Sequence, residues 1–339
     1  MLRCHLVLGI FFVLDRGCGD RRRCPNISET ICVRSRASDS AYVLHQVDIL
    51  WMRESMANIL VTGAARGIGR SVVERALARG DTVYAMVRKT TDIHNFPPVK
   101  ELHVVQMNVA NTDSVAEGFD EVDRLLNGAK LNGIVHCAAI SMPGAIELTA
   151  DSEFESILNT NAMGSLRILR AAIPRLRGHN GRLVLVTSLW GQASGPLLGA
   201  YCASKHAIES MADTARRETA GMNLHIVVAE PGVVLTDMLT SQAPAVQHYL
   251  DAMSAKERSL YGALYKRYFR VVSSAAGITA ERCAAHIDRA LFSRRPPTRY
   301  RIGNDSKIVC LLNWLLPDRW MDRMMALSLN NKPLPADLS

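Results

Sequence analysis

No internal repeat and no low-complexity tract occurs in the 339 residues, which excludes a solenoid or a fibrous array. The apolar run from Leu6 to Leu14 falls far short of the roughly twenty residues that span a bilayer. Beyond the N-terminal stretch cysteine is sparse. Cys137, Cys202, Cys283 and Cys310 stand far apart, with no metal-ligand spacing. That argues against a structural zinc and for a reducing, cytoplasmic setting. Charge of one sign is not concentrated either: the net +8 is modest and spread out. No helix-turn-helix or basic-aromatic pattern calls for nucleic acid. Acid is missing from one informative place, the end of the strand pattern Thr82 to Val87, where Arg88-Lys89 follows.

What is present starts with Asn58-Ile59-Leu60-Val61, a short apolar strand pattern. It runs into Thr62-Gly63-Ala64-Ala65-Arg66-Gly67-Ile68-Gly69 and then a helical stretch from Arg70 to Arg79. Strand, glycine-rich turn and helix form the context of a dinucleotide site. The glycines allow tight turning and close approach of backbone to a pyrophosphate. The helix N-terminus offers free N–H groups to the phosphates. A site for NAD usually holds the ribose 2′-hydroxyl with an acid near the end of the next strand. Here Arg88 stands there, and Arg66 lies within the glycine turn. Guanidinium groups suit a phosphate, so this pair points to NADP(H).

Tyr201 and Lys205 are four apart in Tyr201-Cys202-Ala203-Ser204-Lys205, on one face of a predicted helix. An ammonium beside a phenol favours the phenolate and is expected to lower the tyrosine pKa toward the range of acid-base work. Ser188 follows the apolar run Leu183 to Thr187, which reads as a buried strand. Its hydroxyl is placed to hydrogen-bond a substrate oxygen beside that phenol.

With these motifs in this order, the chain resembles the short-chain dehydrogenases/reductases of the compact single-domain branch, over roughly residues 56–302. Gly63, Gly67 and Gly69 match that family's glycine turn, and Pro231-Gly232-Val233-Val234-Leu235-Thr236 matches its turn after the sixth strand. The resemblance implies a doubly wound α/β fold of Rossmann type, a three-layer αβα sandwich. It also implies hydride transfer between a nicotinamide and a carbonyl or alcohol carbon. Tyr201 would move the proton, Ser188 would polarise the oxygen, Lys205 would bond the ribose, and Asn161 would anchor a relay water. Thr62, Ile68, Asn108, Val109, Ala138, Pro231, Gly232, Val234 and Thr236 join the glycines and arginines as implied cofactor contacts. Glu230-Pro231-Gly232 and Tyr84 to Arg88 look most like the hydroxysteroid and retinol dehydrogenase wing.

The departures are His136-Cys137-Ala138-Ala139, where the family usually carries Asn-Asn-Ala-Gly, and Asn108, where an aspartate is common. His136 must take over the first asparagine's strand-tying role or leave it to water. Asn108 keeps both a donor and an acceptor for the adenine. A sensor or scaffold that binds NADP(H) without turnover is a competing reading, but such members typically lose the tyrosine or lysine. An extended-branch epimerase is disfavoured by the glycine spacing.

Three regions follow from this reading: an extension over 1–55, a cofactor domain over 56–303, and a helical tail over 304–339. The extension carries Cys4, Cys18, Cys24 and Cys32, Arg21-Arg22-Arg23, and a sequon at Asn26. Met56 reads as an ordinary family start, so the extension is expected to be a mis-called upstream stretch or a disordered arm. Residues 237–277 are too long for a plain connection and rich in apolar and aromatic side chains, which predicts a lid over an apolar pocket. Ser141, Met142, Leu189, Trp190, Gly191, Gln192 and Met238 are its expected lining. Long helices are expected over 151–176 and 200–220, where this family usually forms dimers and tetramers. The tail holds Ile308, Val309, Leu311, Leu312, Trp314, Leu315 and Leu316. Packing on its own domain is the preferred reading, ahead of closing the pocket, a partner subunit or a peripheral membrane contact.

Overall fold

Five apolar runs build the centre of the protein: Asn58–Thr62 (β1), Thr82–Val87 (β2), Gly133–His136 (β4), Gly181–Val186 (β5) and Leu224–Pro231 (β6). Leu102–Gln106 (β3) and Arg299–Ile302 (β9) flank them. The computed structural model describes residues 32–34, 41–43 and 56–330. The reading of 1–55 as a mis-called or disordered extension lies outside these residues, apart from two short strands. Those strands, Cys32–Arg34 and Ala41–Val43, pair antiparallel with each other. From Ala57 on, the described chain forms one compact unit.

The main sheet is parallel throughout, in the order β9-β6-β5-β4-β1-β2-β3. Sheets buried on both faces carry continuous apolar strands, and β4 and β5 are buried at every position. Alternation along the strands sorts their side chains between two cores. Ile59, Val61, Val83 and Ala85 join one core with Val72 and Val73 of Gly67–Arg79 (α1) and Ile287 of Ala280–Phe292 (α9). Leu60, Tyr84 and Met86 join the other, with Phe119 of Thr112–Leu126 (α2), Ile168 of Gly164–Leu176 (α4) and Ile208 of Gly199–Glu218 (α5). Strand order reverses between β1 and β4, which leaves a crevice at their C-terminal ends.

The single long helix expected over 151–176 is interrupted. Asp151–Leu158 (α3) and α4 are separated by a π-helical turn, Asn159–Met163. Side-chain bonds to other elements accompany the irregularity: Asn159 Nδ2 donates to Ala110 O at 3.1 Å, and Asn161 Nδ2 to Ile140 O at 2.9 Å. Single π turns of this kind often mark functional positions.

The lid contains Asp237–Thr240 (α6), Gln242–Ala252 (α7) and Ala255–Ser273 (α8), between the short strands Val234–Leu235 (β7) and Ile278–Thr279 (β8). Tyr265, Tyr268, Val246 and Leu250 pack there with Leu197, Leu198 and Cys202 in a third core. Leu260 is an exception and faces solvent. The tail forms Asn304–Leu315 (α10) and Asp318–Asn330 (α11). The expectation that it packs its apolar residues on the domain is only half met. Ser306 and Cys310 are buried, whereas Ile308, Leu311, Trp314 and Leu315 are exposed, Trp314 by 79%. No helix among the described residues is long and apolar enough to cross a membrane.

Candidate active site

The glycine turn leaves β1 at the crevice and enters α1. Gly63 has φ +64°, and a Cβ there would lie 2.8 Å from the backbone nitrogen of Ala138. A Cβ on Gly69 would collide with the carbonyl oxygen of Gly63. Gly67 also has positive φ, and its Cβ would press on the Thr236 methyl at 3.3 Å. These positions therefore need glycine to bring turn, β4 loop and Thr236 together. Arg66 is the N-cap of α1 and makes no side-chain cap bond, so the first-turn N–H groups remain open to an anion. Ala64 N donates to Met86 O at 3.2 Å, which holds the turn against the end of β2, where Arg88 follows. The Arg66 and Arg88 side chains are exposed, and neither guanidinium has a partner among the described residues. This set of open N–H groups, glycines and free cations fits a phosphorylated dinucleotide.

Asn108 Oδ1 accepts from Ala110 N at 3.1 Å, and its amide nitrogen has no partner among the described residues. Val109 is buried against Gly164. Thr62 is fully buried, and its Oγ1 accepts from Cys137 N and Ala138 N, each at 3.2 Å. With both lone pairs engaged, its proton goes to His136 Nδ1 at 2.7 Å. The His136 proton then sits on Nε2 and is donated to Ser165 Oγ at 3.0 Å. Ser165 in turn donates to Asn161 O at 2.7 Å. Burial, aided by the Lys205 charge, holds His136 down to about 3, so this imidazole stays neutral. His136 thus ties β4 to β1 and α4, which answers the departure from the usual asparagine.

A cavity of about 210 Å³ lies beside this turn. Ser188, Tyr201 and Lys205 line it together, as do Ile68, Pro231, Gly232, Val234 and Thr236. Of the expected pocket residues, Ser141, Trp190 and Met238 line it. Met142, Leu189, Gly191 and Gln192 do not: Leu189 and Gly191 are buried, and Met142 turns outward at 40%. Asn161 is fully buried outside the lining. Its Nδ2 also donates to Ser204 Oγ at 3.0 Å, and its Oδ1 accepts from Ile140 N at 2.9 Å. From the lid, Tyr268 and Gln242 also line it, and the Tyr268 hydroxyl donates to Gln242 Oε1 at 2.5 Å. Tyr268 lay within the aromatic lid pattern; nothing in the sequence marked Gln242.

α5 carries Tyr201 and Lys205 on one face, with Lys205 Nζ 5.5 Å from the centre of the Tyr201 ring. The ammonium donates to Val186 O at 3.0 Å, which ties α5 to the end of β5 just before Ser188. Ser188 Oγ sits 3.5 Å from Pro231 O. The expectation of a lowered Tyr201 pKa needs correction. Burial dominates and pushes the phenol up to about 12, with the Ser188 hydroxyl working the other way. Burial likewise pushes Lys205 down to about 8, against the pull of Cys137 and Glu209. Residue spacing shows the neighbouring charge but not the desolvation that opposes it.

A profile of the short chain dehydrogenase family matches residues 57–247. The chain belongs to that family. As a short-chain dehydrogenase it is an oxidoreductase of a family that binds a nicotinamide cofactor and acts on small molecules. It is similar to 3-amino-tetrahydro-pyrrolizinone reductase of Xenorhabdus hominickii, 27% identical over 78% of this chain and 94% of the relative. Human retinol dehydrogenase 16 is also 27% identical, over 84% of this chain and 93% of the relative. A short chain dehydrogenase from Burkholderia cenocepacia, solved in complex with NADP, shares the fold. Its TM-score is 0.61 at 21% identity, over 82% of this chain and 98% of that one.

Proposed function

We propose that this short-chain dehydrogenase uses NADP(H) to interconvert a carbonyl and the corresponding alcohol on an apolar substrate of steroid, retinoid or lipid type: a ketone with a secondary alcohol, or an aldehyde with a primary one. The observation that carries this reading is the convergence of Ser188, Tyr201 and Lys205 on one cavity whose other walls are largely apolar. Ile68, Leu198, Leu239, Val271 and Val272 supply those walls. Arg66 and Arg88, without partners among the described residues, support the choice of NADP(H) over NAD(H), as does the NADP complex of the Burkholderia protein.

Thr62, Gly63, Gly67 and Gly69 would hold the phosphates, with Asn108, Val109 and Ala138 on the adenine side and Pro231, Gly232, Val234 and Thr236 at the nicotinamide end. Bound there, the nicotinamide supplies or accepts the hydride. Tyr201 gives its proton to the substrate oxygen during reduction and takes it back during oxidation. Ser188 donates to the same oxygen and fixes its direction. Lys205, held near 8, keeps much of its charge at neutral pH and offsets the phenolate that Tyr201 becomes. Both amide protons of Asn161 are engaged, so relay water would rest on backbone carbonyls of the π turn. His136 holds that turn in register.

The faces of α3, α4 and α5 are the proposed seat of a homodimer or homotetramer. The free thiols Cys137, Cys202, Cys283 and Cys310 support a reducing, cytoplasmic setting. The exposed Trp314, Leu311 and Leu315 support a peripheral membrane contact, and sedimentation with anionic vesicles at low salt tests it. The functional reading is tested by NADPH oxidation over a panel of apolar and polar ketones. Faster turnover of the apolar members is expected. Tight NADPH binding with no turnover on any of them would replace the enzyme by an NADP(H)-binding sensor.

A further inference from the structure

Helix α10 lies outside the segment matched by the family profile, yet it holds three backbone points around the cavity. Asp305 Oδ2 accepts from Val233 N at 2.6 Å. Ser306 Oγ donates to Glu230 O at 2.7 Å, and Asn313 Nδ2 donates to Gln192 O at 2.7 Å. The first two contacts bracket Pro231-Gly232, the turn proposed to receive the nicotinamide. The third holds the segment that follows Trp190, another lining residue.

The Asp305 carboxylate is built into place by the absence of side chains around it. A Cβ on Gly232 would fall directly on both of its oxygens, and a Cβ on Gly303 would collide with one of them. Gly303 itself sits at φ +97°, where the chain turns from β9 into α10. Gly232 N donates to Ile302 O at 2.9 Å, so the turn is stitched to this same corner. An acid in the first turn of a helix is favourable on dipole grounds alone. That preference does not require the carboxylate to lie flat against Gly232 and bond the N–H of Val233.

We infer that Asp305 is a positioning residue: it sets the backbone of the Pro231–Thr236 turn and so the nicotinamide end of the cofactor site. The inference rests on the nicotinamide-binding reading above. Its charge-assisted bond to Val233 N holds Val233, and with it Val234 and Thr236, which line the cavity. Helix α10 then braces the active-site turn from behind rather than being an appendage to it.

The test separates the two ends of the cofactor. NADPH and 2′,5′-ADP, which lacks the nicotinamide end, are titrated into wild type and Asp305→Ala by fluorescence or calorimetry. The substitution should weaken NADPH by about tenfold to a hundredfold, while 2′,5′-ADP changes by less than about twofold. A general loosening of the fold would weaken both ligands together and overturn the assignment; so would unchanged NADPH binding. If Asp305→Ala does not fold, Asp305→Asn supplies the second arm: it keeps the shape and an acceptor oxygen but loses the charge on the Val233 N bond, so NADPH should weaken by several-fold while 2′,5′-ADP changes by less than about twofold. Equal losses of both ligands, or no loss of NADPH, would equally overturn the inference. A wild-type chain that binds NADH in place of NADPH is tested in the same way with NADH and ADP-ribose. A wild-type chain that binds neither dinucleotide removes the functional reading itself, and the positioning role with it.

Discussion

Replacing Glu209 with glutamine should flatten the pH dependence of stability. Glu209 lies on α5, one turn beyond Lys205, and is 5% exposed. Its Oε1 is 2.6 Å from Thr187 Oγ1, and its Oε2 is 3.1 Å from Arg299. Arg299, half-buried, also meets Asp213 at 2.9 Å and the fully buried Glu230 at 3.2 Å, so three carboxylates share one cation. Burial pushes Glu209 up to about 7; Thr187 pulls the other way, Glu230 adds to the rise, and Arg299 offsets part of it. The Thr187 hydroxyl also reaches Ala229 O at 3.2 Å. A protonated Glu209 can therefore donate to Thr187 while Thr187 donates to Ala229, so the neutral form keeps its bonds. A folded pKa above the ordinary 4.5 means stability that is complete below about 4.5 and lost as pH rises through about 7. The loss is at most on the order of 3 kcal/mol, because Arg299 and Glu230 respond together. Urea unfolding of wild type and Glu209→Gln between about pH 5 and about pH 8 reads it. Wild type should lose stability relative to the variant as pH rises. Parallel curves, or the opposite slope, would refute the reasoning.

Arg88→Asp should weaken NADPH at least about tenfold while leaving NADH nearly unchanged, measured by paired titrations; equal losses would remove Arg88 from the phosphate site. Phe119→Ala empties a fully buried position beneath Arg175, whose guanidinium stacks 4.9 Å from the ring; it should cost about 3–5 kcal/mol in denaturant unfolding. Arg299→Met leaves Glu209 and Glu230 without their shared cation and should cost about 3–5 kcal/mol near neutral pH, with a smaller loss in acid. Equal losses at both pH values would argue that Arg299 acts by packing alone.

The sheet was legible because parallel strands buried on both faces carry apolar runs, as Leu183 to Val186 and Val83 to Val87 do. The glycine turn was legible because local geometry decides it: Gly63 and Gly67 need positive φ, and α1 follows at once. Tyr201 and Lys205 lie within one helical turn, so their shared face follows from spacing. What escaped depends on contacts between distant segments. The π turn at Asn161 goes with bonds to Ile140 and Ser204, and neither partner is near it in sequence. Gln242 enters the cavity because α7 and α8 fold back over it, and Asp305 meets Val233 across a separation of 72 residues. The direction of the Tyr201 shift was misjudged because burial is a property of the whole fold. The apolar face of α10 read as core, yet only its Ser306 and Cys310 side turns inward.

The central claim, that Tyr201 transfers the proton in an NADP(H)-dependent reaction, is tested most directly by Tyr201→Phe. NADPH oxidation with the best ketone of the panel and NADPH affinity are measured on the same preparation. The account predicts a fall in turnover of at least about a hundredfold, with affinity held within about threefold. Turnover that persists in the variant would contradict it.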